Sequence, residues 1–233
     1  MKAMILAAGR GQRMRPLTDH TPKPLLPVGG KPLIVWHIEK LVAAGIRDIV
    51  INTAWLGHKL QSALGDGGAY GARLLWSPED PPLETAGGIA HALPVLGPKP
   101  FLVVNGDVWC DWDFRAAPRC ADAMMERQAL AWLLLVDNPG HNPSGDFLLA
   151  PDGQVCHAPE AAPTASVRLT FSGIGVYDPR LLFGVSGREP APLAPVLRQA
   201  MQRSAVIGSH HEGTWLDIGT PERLQQLDTQ LTM

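Results

Sequence analysis

Cysteine is scarce in this chain: Cys110, Cys120 and Cys156 are the whole complement, and they form neither a CxxC pair nor any zinc-type spacing. That excludes a disulfide scaffold and suits reduced thiols in a cytoplasm, where the three are expected to serve packing. An excess of one charge is missing too, since 20 Lys and Arg stand against 22 Asp and Glu for a formal net charge of −2. No broad surface then attracts a polyanion, so nucleic acid is not an expected partner, and useful cations must act locally. Long apolar runs are also absent. The run "ALAWLLLV" from Ala129 to Val136 has strand length, and the N-terminal "MKAMILAAGR" is too short for a signal-peptide core or a bilayer span. A soluble, cytoplasmic protein without membrane association is the expectation. The eight histidines are scattered without metal-ligand spacing, and the adjacent His210 and His211 point to opposite faces of a strand.

What is present is a chain of 233 residues, 45% hydrophobic, which can bury a substantial core as one domain spanning 1–233. Apolar runs of strand length alternate with helix-like segments, the pattern of a doubly wound, mostly parallel α/β sheet covered on both faces. The strands are expected at Lys2 to Ala7, Asp48 to Thr53, Ala72 to Trp76, Phe101 to Asn105 and Leu130 to Val136. Helices are expected in "PLIVWHIEKLVAAG", with Pro32 in a first turn and Gly45 as a C-cap, in "WLGHKLQSALG" and in "ETAGGIAHALPVL". From Asp137 the pattern changes. "GDFLLAPDGQVCHA" has the form of a hairpin around Asp152 and Gly153, "VRLTFSGIGVYDP" of a long strand, and helix returns at Leu193 to Arg203 and from Pro221. The expected result is a mixed sheet begun by residues 1–136 and extended by 137–233.

Directly behind the first strand lies "LAAGRGQRMRPLTDHTPKPLLPVGGKP". Ligands of α/β sheets sit beyond the carboxyl ends of strands, so a loop there is placed to bind one. Gly9 and Gly11 permit close backbone approach, exposed N–H groups can cradle phosphate, and Arg13, Arg15 and Lys23 add cations. Neither familiar phosphate motif applies: GxxxxGK[ST] is absent, and GxGxxG would need glycine where Met14 stands. Prolines on both sides of Lys23 restrict its backbone and hold it in one place. Asp107 follows the buried strand "FLVVNGD" and Asp217 ends "TWLDIG", so both carboxylates are expected at the same sheet edge as the loop. Asp111, Trp112 and Asp113 spell DxD, the pattern of many glycosyltransferases, but four residues beyond the strand end. Asp113 is better read as the N-cap of "FRAAPRCADAMMERQ".

The composite "LAAGRGQRMRPLT" with "PKPLLPV" closely resembles the signature of the sugar-1-phosphate nucleotidylyltransferase family. The resemblance continues through "GIRDIVINTAW", "LETAGGI", "VVNGDV", "FSGIGVYDP" and "WLDIGTPE", in the family's order. It implies the Rossmann-like, glycosyltransferase-A-like fold of nucleotide-diphospho-sugar transferases. Residues 1–136 would bind nucleotide and 137–233 the sugar phosphate. The chain ends shortly after "IGTPE", which leaves no room for the family's C-terminal β-helix and makes a monomer the expectation.

By the same resemblance the nucleotide is held by Ala7, Ala8, Gly9, Gly11, Gln12, Arg13, Lys23, Glu79, Thr85, Gly87, Asn105 and Gly106, with Arg13 and Lys23 as the catalytic cations. Asp107 and Asp217 would be the ligands of Mg²⁺. Asn105, Gly145, Glu160 and Ser172 would bind the sugar phosphate; the last three are the nearest matches to the family's residues there, with bland competing readings as a turn glycine, a solvated acid and a strand serine. Two departures stand out. Glu84 replaces a usual glycine in the base-holding segment, and "PEAAP" lacks the lysine of the family's EKP, for which Arg168 is a candidate substitute. Glu79 and Asp80 lie where the base edge is often read.

The implied reaction joins a nucleoside triphosphate to a sugar 1-phosphate and releases pyrophosphate. Loop wording and chain length bring the resemblance nearest to the family's uridylyl-transferring branch of bacterial cell-wall recycling, hence UTP. Mannose 1-phosphate with GTP and glucose 1-phosphate with UTP or dTTP remain open alternatives, as do a non-catalytic sugar-nucleotide sensor and a DxD glycosyltransferase.

Overall fold

The computed structural model describes residues 1–157 and 163–232. Its strands in chain order are β1 (Ala3–Leu6), β2 (Pro27–Val28), β3 (Lys31–Pro32), β4 (Asp48–Thr53), β5 (Arg73–Pro78), β6 (Phe101–Asn105), β7 (Val108–Cys110), β8 (Ala131–Val136), β9 (Phe147–Leu149), β10 (Val155–Cys156), β11 (Val167–Tyr177), β12 (Val206–His211) and β13 (Trp215–Asp217). The α-helices are α1 (Leu33–Ala43), α2 (Gly57–Leu64), α3 (Glu84–Leu96), α4 (Ala117–Glu126), α5 (Leu193–Met201) and α6 (Pro221–Thr232).

Nine strands form one sheet. β1 lies between β4 and β6, parallel to both, and β5 extends the parallel run beyond β4. β11 enters antiparallel between β6 and β8, and β12 adds parallel to β8. A register shift in β11 between Phe171 and Gly175 frees its first residues to pair with β9, to which β10 adds as a hairpin. The sheet is therefore mixed and mostly parallel, with strands of the two chain halves interleaved.

Strands buried on both faces explain the near-continuous apolar runs. In β8, Trp132 and Leu134 face one core with Ile34, Ile38 and Leu41 of α1, Leu60 of α2 and Met124 of α4. Leu133 and Leu135 face the other with Ile89 of α3 and Leu197 of α5. Each fully buried Leu or Ile contributes roughly 1.5–3 kcal/mol of transfer free energy, which is why alternation between polar and apolar is lost here. α6 closes a third, smaller cluster through Leu227, against Val28, Leu33 and Ile218.

Several of the expected elements recur with shifted ends. Pro32 is the N-cap of α1 instead of lying in its first turn, and Gly45 ends that helix region at φ +80°. Asp113 caps only the 3-10 turn Phe114–Ala116, its side chain accepting from the Arg115 N–H, and α4 begins after it at Ala117. Two short ribbons were not expected: β2 with β3, and β7 with β13. Among the described residues, no helix is long and apolar enough to cross a membrane.

Candidate active site

A cavity of about 750 Å³ opens at the carboxyl ends of β1, β4 and β6, where an α/β sheet places its ligands. The loop after β1 forms its floor and turns once as a 3-10 helix, Gln12–Met14, anchored by the fully buried Met14. Gly11 takes φ +61°, and a Cβ there would stand 2.9 Å from the Thr18 methyl, so only glycine closes the loop this tightly. The Thr18 hydroxyl donates to the Gly11 carbonyl at 2.8 Å. Of the residues expected around a nucleotide, Ala7, Ala8, Gly9, Gly11, Gln12, Arg13, Lys23, Glu79, Thr85, Asn105 and Gly106 line this cavity, together with Asp107. Gly87 does not line it. Its N–H donates to the Ala191 carbonyl, and a Cβ there would meet the Glu189 carbonyl at 2.6 Å, so it serves helix packing.

Asn52 was not singled out from the sequence. Its side chain accepts from the Ala7 N–H at 2.7 Å and donates to Glu79 Oε1 at 2.7 Å, while Glu79 Oε2 accepts from the Leu83 N–H at 2.8 Å. Both Asn52 and Glu79 are buried, so this hydrogen-bond chain ties the loop after β1 to the start of α3. The signal that could have found Asn52 is an amide near the end of the otherwise apolar buried strand "DIVINT".

At the rim, Lys23 Nζ donates to Asp107 Oδ2 at 2.8 Å, and Lys23 is only 8% exposed. Asp107 sits between β6 and β7. The β7–β13 ribbon pairs Val108 with Asp217, and the Ile218 N–H donates to the Asp107 carbonyl at 2.8 Å. The ribbon thus brings together the two acids expected to bind metal, although 110 positions separate them. Arg223 Nη1 donates to Asp217 Oδ2 at 2.5 Å, and His141 Nε2 lies 3.4 Å from the same oxygen. Two carboxylates are hard oxygen donors, the chemistry that suits Mg²⁺ or a similar divalent ion, and a cation of the chain already compensates each. Arg223 and His141 went unread because nothing local marks them.

A second cavity of about 680 Å³ adjoins the first and shares Glu84, Thr85 and Asn105 with it. Gly145 and Arg168 line it, as do residues of α5. Ser172 does not: it is fully buried, its hydroxyl accepts from the Ile174 N–H, and its carbonyl accepts from Trp215 Nε1. Glu160 lies outside the described residues. Glu84 takes φ +57°, the left-handed conformation that explains the glycine usual at this position and costs a side-chain-bearing residue on the order of 1 kcal/mol.

His211 does have company, contrary to the expectation from spacing: Cys110, Asp111 and His211 offer ligand atoms within 4.8 Å of one another. Asp111 is held by His211 Nε2 at 2.6 Å and by the Thr214 N–H at 3.0 Å, so the first acid of DxD joins strand ends. Burial alone would raise its carboxyl, but these two donors keep it below the ordinary range. Burial pushes the Cys110 and Cys120 thiols up to about 11, which excludes them as nucleophiles at neutral pH.

The family profile described as nucleotidyl transferase matches residues 2–233. The chain is 57% identical over 227 residues to the N-acetylmuramate alpha-1-phosphate uridylyltransferase of Neisseria meningitidis serogroup B, covering 97% of this chain and 96% of that protein. It is 35% identical over 230 residues to the protein of the same name from Caulobacter vibrioides, covering 94% and 92%. A crystal structure from Bacillus anthracis, described as a glucose-1-phosphate thymidylyltransferase in complex with a sucrose, superposes with a TM-score of 0.81 at 25% identity, covering 100% of this chain and 95% of that one.

Proposed function

The chain belongs to the nucleotidyl transferase family, and from that membership we propose that it transfers the uridylyl group of UTP to N-acetylmuramate 1-phosphate, giving UDP-N-acetylmuramate and pyrophosphate. The choice of base and sugar is supported by near full-length likeness to two proteins of that name. The observation that carries the chemistry is the contact of Lys23 with Asp107 at the rim of the first cavity.

On this reading the sugar phosphate attacks the α-phosphorus of UTP in line, and pyrophosphate leaves from the opposite side. The second pKa of a phosphate monoester is about 6, so the nucleophile is already ionised at neutral pH and needs no general base. That fits a cavity whose lining, among the described residues, holds neither a histidine nor a cysteine. Backbone N–H groups of Gly9 to Gln12 cradle the triphosphate, and Arg13 offers its planar fork to two phosphate oxygens. Lys23 places a compact charge at the α-phosphate, where negative charge rearranges during transfer. Asp107 and Asp217 would hold a divalent ion, Mg²⁺ on this reading, which when bound supplies charge neutralisation to the phosphates. Catalysis is then positioning plus electrostatics. UTP as substrate goes with a cytoplasmic location.

A sensor that had abandoned catalysis would be free to lose charged residues at this rim. Arg13, Lys23 and Asp107 all line the cavity, with Asp217 beside it on the ribbon. The test is a pyrophosphate-release screen of four nucleoside triphosphates against a panel of sugar 1-phosphates. Release is expected with UTP and N-acetylmuramate 1-phosphate; none with any pair would sink the enzyme reading, and a different preferred pair would replace the substrates named here.

A further inference from the structure

The second cavity holds two arginines that do not line the first. Arg168 comes from β11 and Arg198 from α5, and both line that cavity. Among the described residues, neither guanidinium has a carboxylate within ion-pair distance, whereas Lys23, Arg180 and Arg223 do. Lys23 and Asp107, where phosphorus is exchanged, line only the first cavity. Arg168 and Arg198 therefore lie in the cavity that Lys23 and Asp107 do not line.

Among the described residues, the other charged or titratable groups of the lining are Glu84, Asp146 and His157. Asp146 is committed inward, with Oδ1 accepting from Asn142 Nδ2 at 3.0 Å and Oδ2 from the Phe171 N–H at 2.8 Å. Glu84 stands at the boundary shared with the first cavity, and His157 lies edge-on to the Phe147 ring. Phe147, Phe171, Leu193 and Leu197 make much of the remaining wall apolar. A wall of this kind recognises an anionic group that carries an apolar neighbour.

N-acetylmuramate differs from N-acetylglucosamine by a lactyl ether, which brings one carboxylate and one methyl. Resting on the function proposed above, we propose that Arg168 and Arg198 read the lactyl carboxylate and so select a sugar acid over neutral sugars. The guanidinium forks take the carboxylate oxygens, and the apolar wall takes the methyl.

Two product nucleotides, UDP-N-acetylmuramate and UDP-N-acetylglucosamine, differ only in that ether, so calorimetric titration with each isolates it. The wild-type protein is expected to bind the muramate product about ten- to a hundredfold more tightly, the range for a hydrogen-bonded charge. Arg198→Ala and Arg168→Ala should each erase most of this preference by weakening the muramate product alone, and Arg198→Lys should restore part of it. Equal weakening toward both nucleotides would assign the arginines to the shared nucleotide or to the fold and overturn the inference. A preference that survives both substitutions would overturn it as well while leaving the proposed function intact. A wild-type protein that shows no preference, and transfers uridylyl only to neutral sugars, would overturn the proposed function and the inference with it.

Discussion

Lys23 and His37 are both buried, and their partners give them opposite fates. Lys23 has Asp107 as an ion-pair partner at 2.8 Å. Lys23→Ala is expected to lower kcat by about a hundredfold or more with a smaller change in KM for UTP, because its charge acts where the α-phosphate changes; an unchanged kcat removes it from the chemistry. Asp107→Ala and Asp217→Ala should also lose turnover by orders of magnitude while staying folded, since each is partly open to solvent; wild-type rates in either would remove that residue from the metal site. His37 Nε2 has no partner, and burial, reinforced by Lys40, lowers its pKa from 6.5 to about 4. Between these values the unfolded chain binds the proton and the folded one does not, so stability falls as pH falls, by up to about 1.4 kcal/mol per pH unit. Asp48, Asp113 and Asp178, held low mainly against arginine partners, lose their contribution only in the more acidic carboxyl range. Urea unfolding at pH 7 and pH 4.5 should therefore show a larger loss for the wild type than for His37→Leu, and parallel losses would exclude His37 as the cause.

At the scale of elements, what was legible in the sequence and what was not divides by range. The strands β4 and β6 and the helix α3 were expected at their observed limits, because a buried strand or helix leaves a continuous local signature. The two ribbons, the position of β11 between β6 and β8, and the grip of Arg223 on Asp217 depend on partners far along the chain and leave none. Gly87 was legible as part of a motif, yet its reason, the backbone at Glu189, lies a hundred residues away. Gly106 is a similar case with a sharper consequence. Its N–H donates to the Leu6 carbonyl at 2.9 Å, and an added Cβ would stand 2.6 Å from that oxygen, so β6 and β1 would have to part just before Asp107. Gly106→Ala should cost about 1–3 kcal/mol of stability and more than tenfold in turnover. Gly9→Ala, with nothing within 4 Å of its Cβ, should keep stability within about 0.5 kcal/mol. Equal unfolding midpoints for the two variants would contradict the role given to the close approach.

For the molecule as a whole, the two acids at the rim are paired from within by Lys23 and Arg223, so the rim carries little unrelieved repulsion. A chelator alone should then leave the unfolding temperature unchanged. Binding is different, because a nucleotide triphosphate brings negative charge beside Asp107 and Asp217 that two chain cations cannot offset. UTP at about a hundred times its Kd stabilises a folded protein by roughly 2.7 kcal/mol, a rise of about 5–11 °C in Tm at this size. That rise should appear with UTP and Mg²⁺ together, shrink to near zero when the divalent ion is chelated, and be absent from Asp107→Ala even with the ion present. A full shift without any divalent ion would mean that Arg13, Lys23 and the loop N–H groups hold the triphosphate by themselves, and Asp107 with Asp217 would then have to be explained by the second half of the reaction, where the sugar phosphate arrives.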